Sequence, residues 1–345
     1  MNQKGKAMNI LKFIMPALAF LAVLFLVPGT SLGEISFKGA VTGGLGSYTN
    51  DGDTSTGGTS TTDIRGEARA YIDFHSGTGD VAIRLRYRVD EGTNASSGTD
   101  DVSGTISATR SRVVWKVAPN LKLTFAGRGF GVGNTFTAYG AYNTGHFGDG
   151  MILGDMIPGN TVYILLNSSG VDLTYREGNL NAGVGLLANC RPGCPGSEGE
   201  DQTIYVHGVI KLGNMKIGGW QSNATASDST GTGVDASETA FVFRMDTPDF
   251  KLGFEYVLNS DSTDAEFTGI ALGASFGPIH VGYVSRIEED ASGTETSNDT
   301  EIRGAFMMKI SDQATLAFGY ASRSNNLAGA DETDTLIMVS AKSTF

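Results

Sequence analysis

The chain of 345 residues is poor in several things at once: two cysteines, eight prolines, two tryptophans and only 18% charged residues. Each scarcity excludes something. Two cysteines, Cys190 and Cys194 in CRPGC, cannot build a disulfide framework, and they offer too few ligands for a metal site. In an oxidising compartment they could close one small loop-tip disulfide. Basic residues are outnumbered, 25 against 37 acids, which excludes nucleic acid as a partner. The four histidines, His75, His146, His207 and His280, are scattered, and no HExxH, GxSxG or CxxCH occurs. GRGFGVGN (127–134) has alternate glycines but lies after a strand pattern with no helix pattern behind it, so it reads as a flexible exit into a loop. DGD at 51–53 reads as a solvated loop. No cofactor, no metal and no enzymatic activity are expected; a barrel enzyme assembled from a few lumen or rim residues is the alternative that spacing does not reveal.

Long apolar runs are absent beyond residue 33. Before it, Lys4, Lys6 and Lys12 precede the apolar run 13–27, with Ser31 and Gly33 as small residues at its end. That order reads as a secretory signal peptide, residues 1–33, cut before Glu34; the run is short for the ~20 residues of a retained anchor. No cysteine stands near the cut to carry a lipid. Losing three lysines leaves 22 basic against 37 acidic residues, a formal charge of −15. What remains is either a secreted soluble protein or a membrane β-barrel over 34–345.

The pattern that is present is plainest in VAIRLRYRV (81–89): Val81, Ile83, Leu85, Tyr87 and Val89 alternate with Arg84, Arg86 and Arg88. A period of two is a strand with one apolar and one charged face. Same-side guanidiniums would stand roughly 7 Å apart along it, so that face must be wet. The same alternation recurs along the chain. It predicts sixteen strands, at 35–47, 64–74, 81–89, 105–117, 121–128, 162–176 (irregular at 168–170), 180–189, 202–212, 215–223, 237–246, 251–259, 265–276, 279–287, 301–310, 314–323 and 334–345. Short turns such as Gly213-Asn214, 247–249, Gly277-Pro278 and 311–313 alternate with long Ser/Thr/Gly/Asp-rich loops. Pro119, Pro158, Pro192, Pro195, Pro248 and Pro278 all fall outside the strands, where their missing N–H is tolerated.

Alternation alone does not separate a soluble sandwich from a barrel. Three features favour the barrel: a leader with an even strand number and one-sided long loops; aromatics near strand ends (Phe37, Phe74, Tyr256, Phe276, Phe345) as an interfacial girdle; and the placement of charge. Of the 22 basic residues only Arg191 falls in a loop, while the loops are acidic, among them Asp51, Asp235, Glu288, Glu289, Glu295, Asp299, Asp331 and Glu332.

The C-terminal DTLIMVSAKSTF, with Ile337, Val339, Ala341 and Phe345 on one face, resembles the closing strand of the general bacterial porins. In that closing strand Ser343 departs from the aromatic that is commoner in the family, and TRSRVVWKVAPNLKLTFAGRGF resembles their strand–turn–strand segments. The resemblance implies a sixteen-stranded, all-β, up-and-down transmembrane barrel in the outer membrane, in contact with its lipid and assembled as a homotrimer. It implies that the terminal Phe345 segment is read by the barrel-assembly machinery. It also implies that 131–161, rich in Gly, Asn and aromatics, is the constriction loop folded into the pore. Arg65, Arg69, Arg84, Arg86, Arg88, Arg110, Arg112 and Arg128, from four consecutive strands, are expected to form one basic pore-lining wall, with Asp149 and Asp155 of the long loop facing it. Such opposed charge favours small polar solutes. The expected function is passive diffusion of small hydrophilic solutes. The alternatives are a substrate-specific channel and a non-conducting barrel; a sugar channel would show an aromatic slide, and Tyr71, Tyr205 and Trp220 look scattered. Strand positions on the wet face carry 21 basic residues against roughly seven acids (Glu67, Asp73, Asp90, Asp172, Glu238, Asp246, Glu255), which predicts a weak anion preference.

Overall fold

The structure, a computed structural model, describes residues 36–52, 60–78, 81–93, 102–130, 168–187, 202–227, 233–260, 266–327 and 330–345. They form sixteen strands: β1 (Ser36–Asp51), β2 (Ser60–Thr78), β3 (Val81–Thr93), β4 (Val102–Ala118), β5 (Leu121–Phe130), β6 (Ser168–Glu177), β7 (Leu180–Leu187), β8 (Gln202–Leu212), β9 (Met215–Ser227), β10 (Gly233–Asp246), β11 (Phe250–Ser260), β12 (Glu266–Phe276), β13 (Ile279–Glu289), β14 (Glu295–Lys309), β15 (Ala314–Leu327) and β16 (Ala330–Thr344). Each pairs antiparallel with its sequence neighbours. β1 also pairs with β16, from Ala40 opposite Thr344 to Asp51 opposite Thr333, so the sheet closes into a barrel. At the seam the Gly39 N–H donates to the Phe345 carbonyl at 2.9 Å and the Phe345 N–H to the Gly39 carbonyl at 3.0 Å. Closure removes both sheet edges.

The two faces of the sheet invert the usual soluble pattern. On β16, Ile337 is 61% exposed on the outside while Leu336 inside is 0% exposed. On β8, Ile204, Val206 and Ile210 are exposed, and Thr203, Tyr205 and His207 are buried. On β14, Ile302 and Phe306 face out, while Asp299, Glu301 and Arg303 face in. Aliphatic side chains outside and carboxylates inside are the arrangement that lipid demands and water does not. Of the aromatics expected near strand ends, Phe276 and Phe345 are exposed there, Phe250 stacks on Phe276 with centroids 6.1 Å apart, and Phe37 stands opposite Phe74, whereas Tyr256 is exposed in the middle of β11.

Short turns join the hairpins at one end of the barrel. Gly178, Gly213 and Gly277 open three of them with φ of 54°, 60° and 55°, a conformation that costs any residue with a Cβ and matches the twist of a tight hairpin. Pro119, Pro248 and Pro278 lie in turns; Pro158, Pro192 and Pro195 lie outside the described residues.

The structure corrects the strand lengths at the opposite end. β1, β9, β10 and β13–β16 run beyond the alternating segments, so Asp51, Asp235, Glu288, Glu289, Glu295, Asp299, Asp331 and Glu332 belong to strands rather than loops. Only Asp290–Thr294 connects β13 to β14. The physical reason is that above the apolar band both faces of the ladder meet water. The apolar/polar alternation then disappears, while the backbone pairing that defines the strand continues.

Candidate functional site: the barrel lumen

The expected basic wall can be followed by register, because directly opposed residues share a face. Arg84 lies opposite His75 on β2 and Arg112 on β4; Arg86 lies opposite Asp73 and Arg110; Arg88 lies opposite Tyr71 and Ser107. Arg69 is opposite Asp90 and Thr42, and Arg65, farther from the short turns, is opposite Gly46. The ladder therefore brings Arg84, Arg86, Arg110 and Arg112 into a block where arginine faces arginine, with Arg88 beside it. Arg128 departs from this set. An irregularity in the β4–β5 ladder pairs it with Ser111, whose other partner is Leu85 on the apolar face. One extra residue in a ladder shifts the face, which period-two counting does not see.

Along β10 to β15 the inner face is differently built. On β10 the Arg244 guanidinium meets Asp246 at 2.6 Å, and Arg323 on β15 donates to Asp299 on β14 at 2.9 Å. Arg303 pairs with Glu301, and Arg286 with Glu288 while lying 4.6 Å from the Phe267 ring centroid. Glu238 accepts the Trp220 indole N–H at 2.8 Å. Glu255 is fully buried, with neither carboxylate oxygen hydrogen-bonded. Glu288, Asp299, Glu301 and Asp334 thus join the inner-face acids, which corrects the expectation of roughly seven. The signal was available: Glu301 and Arg303 have the parity of the buried Ala305, but Asp299 and Glu288 lay in segments read as loop.

A third group spans β6 to β9. Asp172 accepts a hydrogen bond from the Tyr205 hydroxyl at 2.8 Å, lies 3.0 Å from His207 Nε2, and is bonded by Thr174. β7 lies between, and its inner-face residues opposite Tyr205 and His207 are Gly185 and Gly183. A Cβ at either glycine would overlap the ring above it. Two glycines thus let two rings cross a whole strand to reach a carboxylate. Tyr205 and His207 have centroids 5.8 Å apart, and His207 is opposite Trp220, so Tyr205 and Trp220 belong to one aromatic group rather than being scattered; Tyr71 is on β2.

Asp149 and Asp155, the whole of 131–161, and Cys190 and Cys194 lie outside the described residues. Phe345 is placed at the seam, 63% exposed. Among the described residues no group of three or more His, Cys, Asp or Glu could hold a metal ion.

No protein-family model and no curated protein matches the sequence. Solved structures do. The outer membrane channel DcaP of Acinetobacter baumannii matches with a TM-score of 0.66 at 12% identity, covering 90% of this chain and 97% of that one. OmpT, an outer membrane protein of Vibrio cholerae, matches at 0.56 and 14%, covering 92% and 99%. An anion-selective porin from Comamonas acidovorans matches at 0.55 and 15%, covering 90% and 99%. The fold is that of the bacterial porins. In a closed barrel the inner face is the wall of the lumen. Inner parity therefore marks all of the groups above, including those the sequence reading missed, as candidates for contact with whatever occupies the lumen.

Proposed function

We propose that the chain resides in the outer membrane of a Gram-negative cell and forms a water-filled channel for passive diffusion of small hydrophilic solutes and ions. The observation that carries this reading is the closed barrel with aliphatic side chains outside and charged ones inside. Residues 1–33 are the leader removed on export. The Phe345 segment guides the barrel-assembly machinery, three copies associate, and 131–161, with Asp149 and Asp155, folds inward toward the arginine block. Cys190 and Cys194 form a small disulfide. The block of Arg84, Arg86, Arg110 and Arg112 gives the channel a weak preference for anions, the property named for one of the porins it resembles. No catalysis is involved: the His207–Asp172 pair is buried and bonds ring to wall.

A second reading, a non-conducting barrel, is favoured by one observation: the inner-face carboxylates Glu238, Glu255 and Glu301 are almost inaccessible to water. Conductance of the purified protein in a planar bilayer separates the two. Ohmic steps support the diffusion channel, saturable block by a candidate solute supports a specific one, and no current supports the closed barrel.

A further inference from the structure

Lysine and arginine are distributed differently over this barrel. After the leader the chain has eight lysines, and every one stands within two residues of a strand end at the short-turn rim. Lys116 and Lys122 flank the β4–β5 turn, and Lys211 and Lys216 the β8–β9 turn. Lys251 begins β11 and Lys309 closes β14, while Lys38 and Lys342 stand beside the β1–β16 seam. All share the parity of the inner face. Lys211, for example, continues the row of Thr203, Tyr205 and His207, and Lys342 that of Leu336, Met338 and Ser340. Most are exposed, as expected at the mouth of a tube.

The ladder sets several of them directly against one another. Lys116 is opposite Lys122, Lys211 opposite Lys216, and Lys216 opposite Arg244. Like charges directly across an antiparallel pair oppose strand pairing. The described acids at this rim are Asp73, opposite Lys38; Glu177; Asp246, opposite Lys251 and engaged by Arg244; Asp249; and Asp312, engaged by Lys309 at 2.7 Å. The other rim is acidic, with Asp51, Asp90, Glu91, Asp235, Glu266, Glu289 and Glu295 at or near the strand ends. The barrel is therefore polarised along its axis.

We propose that this lysine collar is a binding site for multivalent oxyanions, of the phosphate class, at the short-turn mouth. Lys211, Lys216 and Lys251 share the inner face on β8, β9 and β11, and a multivalent anion spanning them offsets the repulsion between neighbouring cations there, Arg244 included. A monovalent anion meets one or two lysines and gains little. The β8–β11 part of the collar is separate from the arginine block on β3 and β4, whereas near the seam Lys38 shares Asp73 with Arg86. The proposal deepens the channel reading and rests on it only for the electrical readout.

The test uses sodium tripolyphosphate as probe at low ionic strength, where exposed charges are least screened. Single-channel current should be blocked from one side of the bilayer at a concentration at least roughly tenfold lower than from the other. Replacing Lys211, Lys216 and Lys251 together with glutamine should abolish that asymmetry, whereas Arg84→Gln with Arg86→Gln should leave it. In parallel, calorimetric titration of the barrel in detergent should show tripolyphosphate binding weakened at least roughly tenfold by the lysine variant. Equal block from both sides, or binding unchanged in the lysine variant, overturns the collar. If no current flows in any condition while the calorimetric loss is still seen, the channel reading falls and the collar stands.

Discussion

On β3 and β4 arginine stands opposite arginine, Arg84 across from Arg112 and Arg86 across from Arg110. On β10 to β15 each inner arginine has a carboxylate in contact: Asp246 for Arg244, Glu288 for Arg286, Glu301 for Arg303 and Asp299 for Arg323. Residue type and parity are the same, but the physical outcome differs. A guanidinium neutralised within its own wall contributes structure and little field. A block of guanidiniums facing one another contributes a field and some repulsion. The net charge of the lumen face is therefore a poor guide to selectivity; where the register sets like charges opposite one another decides it.

The largest effect that could break this comparison is on stability. The Arg303–Glu301 pair is almost fully buried, and removing one partner leaves the other charge without it. Glu301→Ala should cost about 3–5 kcal/mol of folding stability, measured by denaturant unfolding in detergent, while replacing both residues with apolar ones of similar size should cost far less. If the single and double variants were equally unstable, these pairs would not be what holds the wall. Next comes the crossing of β7. Gly185→Ala would push the Tyr205 ring off Asp172 and should cost ~1–3 kcal/mol, with Gly304 on β14, where an added Cβ meets nothing within 4 Å, serving as a site where crowding is absent.

Replacing Arg84, Arg86 and Arg88 with glutamine should hardly affect folding. It should lower the anion-to-cation permeability ratio on the order of twofold, because these residues act through their field. An unchanged ratio would place the selective charge elsewhere. The smallest expected effect is in the β13–β14 connection. There Asp290 is held below the ordinary carboxylate value of 3.8, first by the Ser292 hydroxyl and then by the Thr294 and Ser292 N–H groups. A depressed folded value means the turn is held fully above that ordinary value and released as pH falls through the lower one. The Ser292 and Thr294 amide resonances should therefore titrate below about pH 3.8 and lose that titration in Asp290→Asn.

Much of this was readable from residues. VAIRLRYRV gives its face, its period and its strand without any structure, and sixteen such segments give the barrel, because lipid outside and water inside impose alternation on every strand. The limits are physical too. Asp299 and Glu288 were misplaced because above the bilayer both faces are wet and alternation carries no signal. Arg128 left the predicted wall because a ladder irregularity shifts parity locally. Parity names a face and the residue two positions away, as Glu301 is from Arg303, but not a partner on the next strand, so neither the Arg323–Asp299 contact nor Arg84 opposite Arg112 is visible in the sequence. The Gly183 and Gly185 pair is visible as GVG (183–185), but only the register shows which rings pass over it.

The most direct test of the account is the reversal potential of the open channel under a KCl gradient at physiological ionic strength and then in dilute salt. The arginine block predicts a potential displaced to the anion side at physiological salt, where the acidic outer rim is screened within ~8–10 Å, and drifting toward cations in dilute salt as that rim becomes unscreened. Cation selectivity at physiological salt and above would contradict it.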